Sequence, residues 1–193
     1  RLLTDDGDPV PLVVSPHVGG QIVPRFIVIH YTGGQSAESA IAWMTGAKSK
    51  VSAHLVIGRD GSVVQLIPFN RLAYHAGPSH WKAIKGLAPH SIGIELDNPG
   101  PLRKVRGQWK ATFGTVYDAA DVLEANHKHG GRYTAWHTYT SVQVAVAVEV
   151  AKALVRDYPI DEVLGHDEIS PGRKWDPGPA FPFDEFRARV FAQ

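Results

Sequence analysis

The chain has 193 residues, 44% of them hydrophobic, and its 20 basic and 19 acidic side chains leave a net charge of +1. That size and apolar content suit one domain with a sizeable core and argue against disorder. Near-neutrality gives no general electrostatic footprint for nucleic acid or an anionic membrane, the absence of cysteine excludes disulfides, thiolate ligands and a thiol nucleophile, and no apolar run approaches the ~20 residues of a membrane span.

Residues 1–24 are interrupted by Gly7, Pro9, Pro11, Pro16, Gly19, Gly20 and Pro24. They read as an arm draped on the domain, with at most a short edge strand at Val10–Val14 and with His17 as a surface histidine. The near-continuous apolar run Arg25–Thr32 predicts a strand buried on both faces. Ser36 caps a predicted helix to about Gly46, with Glu38 near its positive end and Ile41 and Met44 or Thr45 toward the core. Residues 52–67 predict a hairpin turning at Asp60-Gly61. Its first strand opens with His54, which suits a packed histidine and a functional one equally. Residues 68–90 form a long irregular segment holding His75, His80 and Trp81; such loops are functional or mobile. Ser91–Leu96 predicts a second buried strand, and Glu95 within it requires a cationic partner or a wet site.

A helix is predicted over Thr112–His129 from the i, i+3, i+4 spacing of Phe113, Val116, Tyr117, Ala120 and Leu123. His127 and His129 would then sit at its negative C-terminus and Gly130-Gly131 would stop it. Valines alternate from 142 to 150 as in a strand, but the Thr140/Gln143 capping-box pair and the length of the segment favour a helix over Ser141–Asp157. A short strand at Val163–Gly165 and a last helix, capped by Asp184 and carrying Phe186 and Val190, complete the chain. The order predicts an α/β fold. It is a single domain over 25–193, with a mixed central β-sheet and helices packed on its faces, preceded by the 1–24 arm.

The densest chemistry lies at residues 165–179, GHDEISPGRKWDPGP. Its prolines and glycines exclude a regular helix or an interior strand, so it reads as a stiffened loop. His166 and Asp176 each suit a metal, and a catalytic zinc wants a third protein ligand and an open position. His30, at the tip of the first buried strand, is the best candidate for that ligand; His137 is its main rival.

The motifs FIVIHYTGG, SAHLVIGRDGSVVQLIP, AYHAG, SIGIEL and GHDEISPGRKWDPGPAF occur in that order from Phe26 to Phe181. Together the chain resembles the zinc-dependent N-acetylmuramoyl-L-alanine amidases of the type-2 amidase family, which includes AmpD-like enzymes, some phage endolysins and the peptidoglycan recognition protein fold. The resemblance implies Zn²⁺ on His30, His166 and Asp176, Glu95 as general base, Lys174 stabilising an oxyanion, and His54, His75 and Trp81 toward substrate. It implies hydrolysis of the amide between N-acetylmuramic acid and L-alanine of the stem peptide. Ala53 stands where some phage members carry tyrosine, and Glu95 where those members lack a carboxylate, which points to the AmpD-like branch. The alternative is a non-catalytic peptidoglycan-binding module of the same fold. The expected partner is peptidoglycan or a muropeptide, bound by a monomer with no nucleic acid and no membrane span. A cell-wall-facing location is favoured over the cytoplasm.

Overall fold

Five strands build the sheet in the computed structural model, which describes residues 1–4 and 6–192. They are β1 (Phe26–Tyr31), β2 (Leu55–Ile57), β3 (Val63–Gln65), β4 (Ser91–Leu96) and β5 (Glu162–Gly165). Their spatial order is β5-β1-β4-β2-β3. The first four in that order run parallel and β3 returns antiparallel, so the sheet is mixed. The helices are α1 (Ala37–Thr45), α2 (Ser141–Asp157), α3 (His166–Ile169) and α4 (Phe183–Val190).

Period-2 alternation sorts the strand side chains onto two faces. Ile27, Ile29, Leu55, Ile57, Ile92, Ile94, Leu96 and Val163 fall on one, where α2 and α4 cover them with Val144, Ala147, Val148, Ala151, Leu154, Phe186 and Val190. Phe26, Val28 and Leu164 fall on the other and pack with Ala76, Leu87 and Ile169. The same alternation puts His30, Ser91, Gly93 and Glu95 on this second face. α2 is a helix despite its alternating valines because burial follows i, i+3, i+4 spacing from Val144 through Ala147, Val148 and Ala151 to Leu154. The Thr140 side chain caps it by accepting from Gln143 N. The reciprocal half of the expected capping box is absent, because the Gln143 amide donates to the carbonyls of Ile57 and Asp97 and locks α2 onto the sheet. α4 likewise departs from expectation: Asp184 lies inside its first turn and Pro182 holds the cap position.

The largest correction concerns residues 112–129, which form no α-helix and are helical only in a 3-10 turn at Ala119–Asp121. Arg103–Val105, Gln108–Lys110 and Val116–Tyr117 form a small antiparallel sheet, and Val122–Glu124 pairs with Ala135–His137. Arg106 (φ 51°) and Gly107 (φ 80°) make a two-residue hairpin turn with both central residues left-handed, as a type I′ turn requires. Gly114 at φ 95°, between the β-branched Thr112 and Thr115, breaks any helix across that stretch. The apolar residues instead close a satellite core of Leu102, Trp109, Ala111 and Ala135, against which Phe113, Tyr117 and Val122 pack. His127 is therefore not a helix-end histidine. It is buried, and its Nε2 donates to Asp167 Oδ2 at 3.0 Å.

The N-terminal arm is stitched to the sheet edge. Leu12 makes a single bridge to Gln65, rather than the short strand expected over Val10–Val14, and the strand of the arm is Val18–Gln21, paired with Arg71–Ala73. His17 is half-buried, with Nε2 2.9 Å from the Gly46 carbonyl, so it ties the arm to the end of α1.

Candidate metal and active site

Strand register brings the site together before any loop is considered. Within the sheet His30 on β1 sits opposite Glu95 on β4, and Ile29 sits opposite Gly165 on β5. His166 follows Gly165 directly, so it emerges beside His30 at the same edge. These are the carboxyl ends of three adjacent parallel strands, the position at which open α/β sheets bind ligands. Only α3 in the 165–179 segment is helical, a short departure from the loop expected there; Gly165 ends β5 and the remainder is turn, bend and irregular backbone. The Asp167 amide donates to the Asp176 carbonyl at 2.8 Å and closes the segment on itself, bringing Asp176 back to His166. Gly178 has no space for a side chain, because a Cβ there would lie 2.9 Å from the Trp136 ring.

The result is a triangle of donor atoms. His30 Nδ1 lies 2.8 Å from His166 Nδ1 and 2.9 Å from Asp176 Oδ2, and His166 Nδ1 lies 2.8 Å from the same oxygen. All three residues are buried. Burial and the neighbouring His166 hold the His30 pKa down to about 4, so the imidazole is neutral at pH 7. His166 Nε2 is 3.0 Å from the Ala76 carbonyl. A carbonyl only accepts, so Nε2 carries a proton, and in the neutral imidazole Nδ1 is then the bare nitrogen. Two imidazole nitrogens and one carboxylate oxygen, converging with one side toward a cavity, are the donor set of an open zinc site. The residues therefore fit Zn²⁺, and His30 rather than His137 completes the set. His137 lies elsewhere, with its Nδ1 3.0 Å from Arg59 Nη1.

The cavity over this triangle measures about 310 Å³ and includes Tyr31, Ser52, His75, Glu95, Lys174 and Trp175 in its walls. Glu95 Oε2 is buried and has no hydrogen-bond partner. Burial, aided by the charge of Asp176 and opposed by that of Lys174, raises its pKa well above the usual carboxylate range. An unpaired buried carboxyl is costly, and a raised pKa in a cleft suits proton transfer.

Of the three residues expected toward substrate, only His75 reaches the cavity wall. His54 is fully buried. Its Nε2 donates to the Arg71 carbonyl at 2.9 Å and its Nδ1 accepts from Gly93 N at 3.0 Å, so both ring nitrogens serve the backbone beneath the site. Trp81 packs on the Phe26/Leu87 cluster with Nε1 3.3 Å from Glu162 Oε1, outside the cavity. Arg173 escaped the sequence reading: its Nη2 donates to the carbonyls of Ala76 and Pro78, both at 2.8 Å, and to Ser170 Oγ at 2.7 Å. It pins the ligand loop to the His75 segment. A basic residue next to Lys174 was the one available signal, and it does not reveal backbone acceptors a hundred residues away.

His54 carries a pH prediction. Burial lowers its folded-state pKa to about 4, against 6.5 for the free side chain, so between those values the unfolded chain binds the extra proton. Its contribution to stability is thus complete above pH 6.5 and is lost as pH falls toward 4, by about 3 kcal/mol at most. Urea unfolding at pH 7 and pH 4.5 checks this. His54→Gln is expected to lower stability at pH 7 and to flatten the dependence below it.

Comparison with known proteins agrees with the geometry. The family model for N-acetylmuramoyl-L-alanine amidase matches residues 20–179. The chain is 30% identical over 190 residues to the 1,6-anhydro-N-acetylmuramyl-L-alanine amidase AmpD of Escherichia coli K12, covering 96% of this chain and 85% of that protein. The chain belongs to the type-2 N-acetylmuramoyl-L-alanine amidase family. It is 34% identical over 146 residues to AmpD of Salmonella typhimurium SL1344, covering 75% of this chain but 59% of that relative, less than two thirds of its length. A solved E. coli amidase, AmiD in complex with the substrate anhydro-N-acetylmuramic acid-L-Ala-D-gamma-Glu-L-Lys, superposes with a TM-score of 0.65 at 26% identity, covering 97% of this chain and 63% of that one. The α/β fold with a mixed sheet is the one that the order of predicted elements implied. Among the described residues no helix is long and apolar enough to cross a membrane.

Proposed function

We propose that this amidase hydrolyses the amide bond between the lactyl group of N-acetylmuramic acid and L-alanine of the stem peptide, using Zn²⁺ held by His30, His166 and Asp176. The observation that carries the proposal is the convergence of those three donor atoms on the cavity that also holds Glu95 and Lys174. Bound zinc supplies Lewis acidity and makes an attacking water acidic enough to react at neutral pH.

The remaining chemistry belongs to the protein. Glu95, with one carboxylate oxygen unpartnered in the cavity wall, accepts the proton of the attacking water and returns it to the departing α-amino nitrogen. Burial raises its pKa, which makes it a stronger base toward the proton of the water. Lys174 brings a fixed positive charge to the same cavity, where it opposes the negative charge that develops on the scissile carbonyl oxygen. Its neighbour Arg173 anchors the loop, which limits how far the Lys174 side chain wanders. The substrate is peptidoglycan or a soluble muropeptide.

Incubation with purified sacculi and, separately, with soluble anhydromuropeptides tests the bond assignment by mass spectrometry. The expected products are a peptide with a free L-alanine amine and a muramic acid with a free lactyl carboxylate. Cleavage inside the glycan or the peptide would overturn the bond assignment, and binding to sacculi with no product would establish the binding-module alternative.

A further inference from the structure

We propose that His75 is a positioning residue for His30, holding it in the one tautomer that presents Nδ1 to the metal, and not a contact for substrate. The inference rests on the metal reading of the His30–His166–Asp176 triangle and concerns how that triangle is prepared.

A chain of hydrogen bonds fixes every proton in turn. The Leu87 carbonyl can only accept, so the Ser91 hydroxyl spends its hydrogen there at 2.7 Å. His75 Nε2, 3.2 Å from Ser91 Oγ, must then be the protonated nitrogen and donates to that oxygen. In neutral His75 this leaves Nδ1 bare. His30 Nε2 lies 2.9 Å from it and must donate, so the free lone pair of His30 is on Nδ1, aimed at His166 and Asp176. His166 reaches the same state through the Ala76 carbonyl. The two imidazoles are locked by different acceptors, one a backbone carbonyl and the other a second imidazole. Outer partners of this kind set ring orientation and ligand basicity.

The sequence builds a seat for the His75 ring. A Cβ on Gly93 would lie 2.5 Å from His75 Cγ, so the ring rests on bare β4 backbone, and the Gly93 amide is itself held by His54 Nδ1. Ser91, Gly93 and Glu95 occupy alternate positions of one strand face. The first orients His75, the second admits it, and the third opens onto the site. With both ring nitrogens engaged, His75 offers substrate no hydrogen bond.

The test is Zn²⁺ affinity in the full chain, measured by competition with a chromophoric chelator, together with kcat and KM as functions of free zinc. His75→Ala is expected to bind zinc about 10- to 100-fold more weakly, with KM unchanged and most of the kcat recovered at saturating zinc. His75→Gln keeps an acceptor for His30 Nε2–H and is expected to recover part of the affinity. Gly93→Ala, which displaces the ring while keeping the imidazole, is expected to weaken zinc binding in the same direction and serves if His75→Ala does not fold. Unchanged zinc affinity in the His75 variants with raised KM would make His75 a substrate contact and overturn the inference alone. A wild-type chain that takes up no zinc would overturn the metal reading, and the inference with it.

Discussion

Replacing Glu95 by glutamine should leave zinc content at the wild-type level and lower kcat by about 10²- to 10⁴-fold, the range for loss of a general base. That corresponds to roughly 3 to 5 kcal/mol of transition-state stabilisation. Two observations make the expected effect large. Glu95 and Asp176 are the carboxylates in the cavity wall, and Asp176 is committed to the donor triangle, so no second base stands ready. The Glu95 Oε2 atom is buried without a partner, so glutamine can occupy the space without breaking a salt bridge or unfolding the strand. The burial that raises the Glu95 pKa also argues that its role is proton transfer and not ion pairing. Metal analysis and kcat on the same preparation check both halves. Near-native turnover would remove Glu95 from the mechanism.

Asp176→Ala should have a still larger effect through a different route. Asp176 supplies the one negative charge among the three donors, and its oxygen is within 2.9 Å of both histidine nitrogens. Burial opposes its ionisation, but the two imidazoles beside it hold the carboxyl below the usual carboxylate range, so at neutral pH it is an anion that a cation can use. Removing it leaves two bare imidazole nitrogens and no charge compensation, and a catalytic zinc is rarely held by two protein ligands. The expected result is zinc content falling from one ion per chain to near nil after gel filtration, with turnover lost in proportion. The Asp176→Ala chain should still fold, because the α2 and α4 core lies on the opposite sheet face. Retention of stoichiometric zinc by folded Asp176→Ala would mean the ligand set is wrong.

The two predictions separate the roles of groups that the sequence already placed close together. His30 was legible because a polar residue at the tip of an apolar strand is rare, and Glu95 because a carboxylate inside SIGIEL has no local reason to be there. His166 and Asp176 were legible from the proline- and glycine-rich loop that frames them. What was not legible is how the donors are oriented. Ala76, Leu87 and Ser91 contribute a carbonyl, a carbonyl and a hydroxyl, and nothing in their identity marks them, since backbone acceptors are available at every residue. His54 and His75 looked alike as histidines near a strand, and only the fold distinguishes one buried beneath Gly93 from one in hydrogen-bond reach of His30. Residues 112–129 misled because apolar residues spaced by three or four also fit short strands broken by turns. Gly114 was the residue that decided between them, since a positive φ there is what the turn needs and what a helix forbids.

The most direct test of zinc-dependent amide hydrolysis is a titration of chelator-stripped wild-type chain with Zn²⁺, following release of L-alanine-terminated peptide from an anhydromuropeptide. The account predicts no turnover in the stripped chain, and a rise that breaks at one zinc per chain. Full turnover by a chain whose metal content is nil would contradict it.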